Sequence, residues 1–213
     1  MSTILSSFSD KNFHLLCDKL GRKDKDLKTI LKKYGYPPFW SRPASFPTLI
    51  HIILEQQVSL ASALAAFNKL KEKIGSITPE RLSLLSDEEM RACYFSRQKT
   101  LYARHLATAI TSGQLELETL SVLPDHLIRE RLKQIKGIGD WTVDVYLLFA
   151  LKRTDIFPVG DLAMINSFRD IKQLTKDVSR EAIVEMVKPW QPYRSIGTML
   201  LWHHYIQKRG IKI

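Results

Sequence analysis

The sequence predicts an all-α fold in two lobes. Apolar residues recur at i, i+3 or i+4 and i+7 along most of the chain. No strand-type alternation, internal repeat or low-complexity tract interrupts them. A proline-rich connector at residues 35–47 breaks the helical pattern early and marks a lobe boundary or a wrapped, ordered segment. With 213 residues, 45% of them hydrophobic, the chain can bury a core in one or two lobes.

The first helix starts at Ser9, turns Phe13, Leu16 and Leu20 inward, and is expected to end at Gly21. Asp26 is expected to open the second, with Leu27, Ile30, Leu31 and Tyr34 inward. The lysines and arginines of this region read as a solvated face. Phe39 and Trp40 in the connector need burial. Residues 45–74 are helical, with a break at 57–59 where Ser59 caps a new start. Thr78-Pro79 and the capping box at Ser86 open short helices. A longer helix follows Ser96 and stops at Gly113. From Pro124, Leu127, Leu132 and Ile135 lead to Gly137-Ile138-Gly139, after which Trp141, Val145 and Leu148 share a face. Leu162, Ile165 and Phe168 form a later face, as do Ile183, Met186 and Val187. A turn at 190–195 enters the last helix, where His203 and His204 read as structural because no ligand partners stand at metal spacing.

Net charge is +10, from 32 basic and 22 acidic residues, which suits a polyanionic partner. Cys17 and Cys93 are too few for a four-cysteine iron–sulfur or zinc site and read as reduced thiols. No signal-peptide pattern or membrane-length apolar run is present, so the expectation is a soluble intracellular protein, cytoplasmic in a bacterium or nuclear in a eukaryote.

Two glycines with one residue between them permit a tight hairpin and leave amides unobstructed at the start of the second helix. Such amides, backed by the positive helix end, bind anions, and nucleic-acid phosphate is the obvious one. A plain packing joint explains the same pattern. Downstream, Pro158-Val159-Gly160-Asp161 opens another helix, where a lone aspartate is an ordinary N-cap.

Together, the Gly-Ile-Gly hairpin and the later Asp161 resemble the helix-hairpin-helix DNA glycosylases, and most closely their 3-methyladenine DNA glycosylase II branch. The resemblance spans residues 43–207 and includes ILEQQVSLASALAAF, the Ser96–Lys99 turn and Tyr193-Arg194-Ser195. It implies a two-lobed helical bundle with an active-site cleft between the lobes. Residues 1–43 and 156–213 would form one lobe, and 44–155 the other, with the hairpin at 124–151. It implies a monomer that flips alkylated purines out of double-stranded DNA and excises them. Asp161 becomes the catalytic carboxylate, and Trp141 and Tyr193 the base-stacking rings. Gln57 becomes the residue inserted into the DNA stack. Lys136, Gly137, Ile138, Gly139 and Thr142 become DNA contacts. The backbone carbonyls of Lys133, Ile135 and Gly137 would hold a sodium or potassium ion, no cofactor being required.

Bifunctional members carry a lysine just after the hairpin, whose amine forms a Schiff base and leads to strand cleavage. Trp141 stands there, so no lyase activity is expected, and the cysteine count excludes the iron–sulfur cluster of several such members. The sequence departs from the family at Asp140, where a basic residue suits phosphate better, and at Val145, where some members place a ring. Two alternatives stay open: a glycosylase for oxidised or deaminated bases, and a non-enzymatic helix-hairpin-helix DNA-binding protein.

Overall fold

The structure, a computed structural model, describes residues 7–211. It is built from helices. The elements are α1 (Asp10–Lys23), α2 (Lys25–Tyr34), α3 (Phe46–Glu55), α4 (Leu60–Ile74), α5 (Pro79–Ser83), α6 (Asp87–Ala92) and α7 (Arg97–Thr111). They continue as α8 (Leu117–Leu120), α9 (Asp125–Lys133), α10 (Asp140–Phe149), α11 (Leu162–Ile171), α12 (Arg180–Met186), a 3-10 turn (Lys188–Trp190) and α13 (Arg194–Arg209). Among the described residues no strand forms; Ser7 and Arg153 make an isolated antiparallel bridge. No helix among them is long and apolar enough to cross a membrane.

The chain divides into two compact units. One takes the chain up to Ser41 and again from Leu147; the other is Arg42–Tyr146. The expected divisions were 43/44 and 155/156. The later observed division, between Tyr146 and Leu147, falls inside α10, which runs through it without a proline or glycine to mark it.

In the Arg42–Tyr146 unit, α3 packs on α4 and α7, and α5 and α6 pack on α7. Serine and threonine caps at Ser45, Ser59, Thr78, Ser86 and Ser96 each accept a backbone N–H in the first helical turn. That is why the capping signals in the sequence locate these helices well. The part of α10 in this unit is buried through Thr142, Val143, Val145 and Tyr146.

In the other unit, α1, α2 and α13 pack together and α11 lies on α13. Trp190 is 2% exposed at its centre, with Phe157 and Phe168 edge-on at 6.2 and 5.7 Å. A Cβ on Gly197 would sit 2.4 Å from the Trp190 ring, so only glycine lets α13 come this close. The Trp190 indole donates to Asp24 Oδ2 at 2.8 Å, and Lys172 Nζ reaches the same oxygen at 2.7 Å. Burial pushes the Asp24 carboxyl up, but the bonds from Lys172 and Trp190 outweigh it and hold the group below its ordinary range.

Several expectations change. Gly21 lies inside α1 rather than ending it; α2 packs so close that a Cβ there would meet Leu31 Cδ1 at 3.1 Å. Asp24, not Asp26, caps α2, because its carboxylate takes the amides of Asp26 and Leu27. Leu162 and Met186 face outward, at 66% and 45% exposure. Cys17 and Cys93 are free and buried. Burial, with Asp18 nearby, pushes the Cys17 thiol up to about 12, and burial also raises Cys93.

Candidate functional site

In the Arg42–Tyr146 unit the candidate groups gather where α3 ends and where α9 turns into α10. A helix end leaves carbonyls without intrahelical partners. Here Lys99 Nζ donates to the Leu54 carbonyl, and Arg42 grips Glu55 with two guanidinium bonds of 3.0 and 2.5 Å. Burial depresses the Lys99 ammonium below its ordinary range. The chain then leaves helix through Gln56 and Gln57. Gln57 is exposed with φ +57°, the left-handed region that a residue with a Cβ adopts only when its surroundings hold it there.

Gln56 supplies that hold. Its amide nitrogen donates to the Gly137 carbonyl at 2.9 Å and to Thr142 Oγ1 at 3.0 Å, using both of its hydrogens. The α3 end is thereby tied to the hairpin. Sequence reasoning singled out Gln57 and missed Gln56; a glutamine pair gives no sign of which member turns inward.

In the hairpin, Gly137 has φ +95°, and a Cβ there would lie 2.1 Å from Tyr102 Cγ. Both facts require glycine. Gly139 differs, because its φ is outside the left-handed region and a Cβ would meet nothing within 4 Å. The fold does not need a glycine at 139. Ile135 and Ile138 are buried, and the Ile138 amide donates to the Ile135 carbonyl at 3.0 Å. Thr142 is 2% exposed, with its hydroxyl on Gln56. Ile138 and Thr142, expected as DNA contacts, therefore face inward and brace the turn. Lys136 is exposed, and Lys133 Nζ pairs with Asp140 Oδ1 at 2.7 Å across the turn. Lys133 and residues 135–139 line an open depression of about 550 Å³ with Gln56, Gln57, Ser96, Gln98, Lys99 and Tyr102.

Asp161 lies in the other unit. It is half-buried and caps α11, with Oδ1 accepting the Met164 amide at 2.8 Å. The Trp202 indole N–H donates to the same oxygen at 3.1 Å. Trp202 was not foreseen, because the bond joins residues far apart in sequence. Tyr193 stands just before α13, half-buried, with Lys19 Nζ 3.0 Å from its hydroxyl and 4.8 Å from its ring centroid. The following turn is firm. Arg194 binds the Asp155 carboxylate at 2.7 and 2.9 Å, and Ser195 Oγ donates to the Arg153 carbonyl at 2.6 Å. Trp141, in the first turn of α10, is half-buried. His203 and His204 bond to the Tyr34 carbonyl and to Asp170. Among the described residues, no three His, Cys, Asp or Glu side chains gather as a metal site.

Residues 50–192 match the model of the HhH-GPD superfamily base excision DNA repair proteins. The chain is 32% identical to DNA-3-methyladenine glycosylase 1 of Schizosaccharomyces pombe, over 93% of this chain and 88% of that protein. The solved structure of the S. pombe 3-methyladenine DNA glycosylase Mag1 with abasic DNA superposes with a TM-score of 0.81, at 32% identity, covering 88% of this chain and 95% of that one. An 8-oxoguanine glycosylase/lyase of Clostridium acetobutylicum, solved with double-stranded DNA, gives a TM-score of 0.80 at 20% identity, over 98% of this chain and 75% of that one, a likeness of fold alone.

Proposed function

The chain belongs to the HhH-GPD superfamily of base excision DNA repair proteins, and from that premise we propose that it excises alkylated purines, 3-methyladenine and 7-methylguanine among them, and leaves the strand uncut. The observation that carries this reading is Asp161, a carboxylate at the start of α11 held by two donors on one oxygen. A base stacked in a duplex is out of reach, so the nucleotide must turn outward. As its glycosidic bond breaks, positive charge builds on the sugar. A carboxylate fixed beside that sugar stabilises the charge as it develops. Gln57 fills the place the base vacates. Lys136 and the amides entering α10 take backbone phosphate, with Gly137 and Gly139 leaving the main chain bare. Trp141 and Tyr193 supply rings for stacking and cation–π contact, worth about 0.5–2 kcal/mol each.

Trp141 occupies the position of the Schiff-base lysine, and Asp140 and Thr142 beside it carry no amine either. Sharing a fold with a glycosylase/lyase does not confer strand cleavage, which resides in that one amine. The Lys133, Ile135 and Gly137 carbonyls fit a monovalent cation in part: the latter two already accept a hydrogen bond, leaving each a second lone pair. The enzyme acts as a monomer on double-stranded DNA, in the bacterial cytoplasm or the eukaryotic nucleus.

A second reading has its own observation. The Lys19 ammonium stands at the hydroxyl edge of Tyr193, 3.0 Å from its oxygen, and a cation beside that ring disfavours a second cation stacked on it, which favours a neutral oxidised or deaminated base.

Methylated duplex DNA incubated with the protein should release free 3-methyladenine or 7-methylguanine and keep an intact abasic strand. A nicked strand, with contaminating lyases excluded, would overturn the assignment of Trp141. Release of neutral damaged bases alone would support the second reading. Duplex binding without release of any base would leave a binding protein.

A further inference from the structure

We propose that Trp202 is a positioning residue for the catalytic carboxylate, an inference that rests on Asp161 being that carboxylate. An indole has one hydrogen-bond donor and no acceptor. The donor of Trp202 is directed at Asp161 Oδ1, which already accepts the Met164 amide. An N-cap bond alone lets the carboxylate swing about its Cβ–Cγ bond. With a second donor approaching from another helix, any such swing breaks a bond of 2.8 or 3.1 Å. The direction of the second carboxylate oxygen is then set by α11 and α13 together.

The indole is itself held on several sides. It is 9% exposed and stacks on the Phe149 ring at 5.2 Å with 19° between the planes. Its neighbour Leu201 accepts a hydrogen bond on its carbonyl from Ser167 Oγ of α11 at 2.7 Å, which ties α13 to α11. At its start α13 is fixed by the Ser195 hydroxyl, which donates to the Arg153 carbonyl at 2.6 Å and accepts the Ile156 amide at 2.9 Å. Phenylalanine would fill much of the same apolar space, so packing alone does not call for tryptophan at 202. The N–H distinguishes the two, and it is aimed at the charge-bearing group. A small misplacement of a catalytic group slows chemistry without weakening binding.

Trp202→Phe keeps a ring against Phe149 and removes the donor. Its single-turnover base-release rate on methylated duplex should fall about tenfold to a hundredfold. Its affinity for abasic duplex and its melting temperature should stay close to the parent's. In an Asp161→Asn background the same substitution should cost nothing further, because Trp202 acts through Asp161. An unchanged rate would overturn the proposal. So would a rate that falls in step with DNA affinity, or an equal loss in the Asp161→Asn background. Should Trp202→Phe fail to fold, Phe149→Leu keeps the N–H but frees the indole plane, and an unaltered rate there would sink the idea. Full excision by Asp161→Asn alone would instead refute the catalytic assignment, a result separable from any obtained with Trp202.

Discussion

The turn at residues 135–140 and the corner at residues 158–164 do their work with different materials. The turn is made of backbone: bare glycines, amides at a helix start, and side chains such as Ile138 and Thr142 that face inward to brace it. The corner depends on one side chain, Asp161, aimed by a helix amide and by Trp202. A backbone surface tolerates changes of side-chain chemistry but not added bulk. If Asp161 is the catalytic carboxylate proposed above, that corner tolerates neither loss of charge nor loss of aim, yet small changes of shape around it matter less.

The sharpest way to separate the two is Asp161→Asn, which keeps the shape and an N-cap acceptor and removes the charge. Base release should fall by about 10²–10³-fold or more, with duplex affinity and melting temperature nearly retained. Gly137→Ala should do the reverse, costing roughly 2–4 kcal/mol of stability, because the new Cβ strains the backbone and drives into Tyr102. Melting temperature and duplex affinity should fall together. Removing the charge and one of the two acceptor oxygens by Asp24→Asn tests a second corner made of side chains, at a cost of about 1–3 kcal/mol at neutral pH.

The pH dependence of that third effect follows from its sign. The Asp24 carboxyl titrates below its unfolded value, near 3.9. Its contribution is therefore complete above about pH 4 and is lost as pH falls through the lower folded value. Melting temperatures of the parent and Asp24→Asn should converge as the pH is lowered below about 4 and through the depressed folded value. Burial lowers Lys172, but Asp24 and Asp26 more than compensate and raise it, so its contribution holds through neutral pH and disappears only in strong alkali.

Gly139→Ala should leave the melting temperature unchanged while weakening DNA binding several-fold, the signature of a glycine kept for a partner rather than for the fold. Unaltered affinity would show that the turn does not approach phosphate at that point. The smallest effect should come from Asp140→Asn. It removes a negative charge that Lys133 already offsets, and should raise duplex affinity slightly at low salt, as read from a titration.

The helices were legible where a local rule decides them. Ser59, Thr78, Ser86 and Ser96 capped helices as their sequences imply, because a cap needs only its own next three residues. Gly21 was misread because its reason lies on another helix, and the outward turn of Leu162 and Met186 depends on neighbours that periodicity does not name. The same divide runs through the candidate site. Gly137 and Asp161 announce themselves by spacing and residue type. Gln56 and Trp202 do not, since their significance rests on bonds to residues far along the chain. Sequence pattern marks residues whose reason is local more readily than those whose bonds reach across the fold.

The two buried thiols bear on how such a protein survives its own working conditions. The agents that alkylate DNA bases are electrophiles, and in proteins their preferred target is the thiolate, not the thiol. Cys17, with its acidity suppressed to about 12, is almost wholly protonated at neutral pH, and Cys93 is shifted the same way behind its own covering of side chains. The chain thus offers little thiolate to the electrophiles that create alkylated bases.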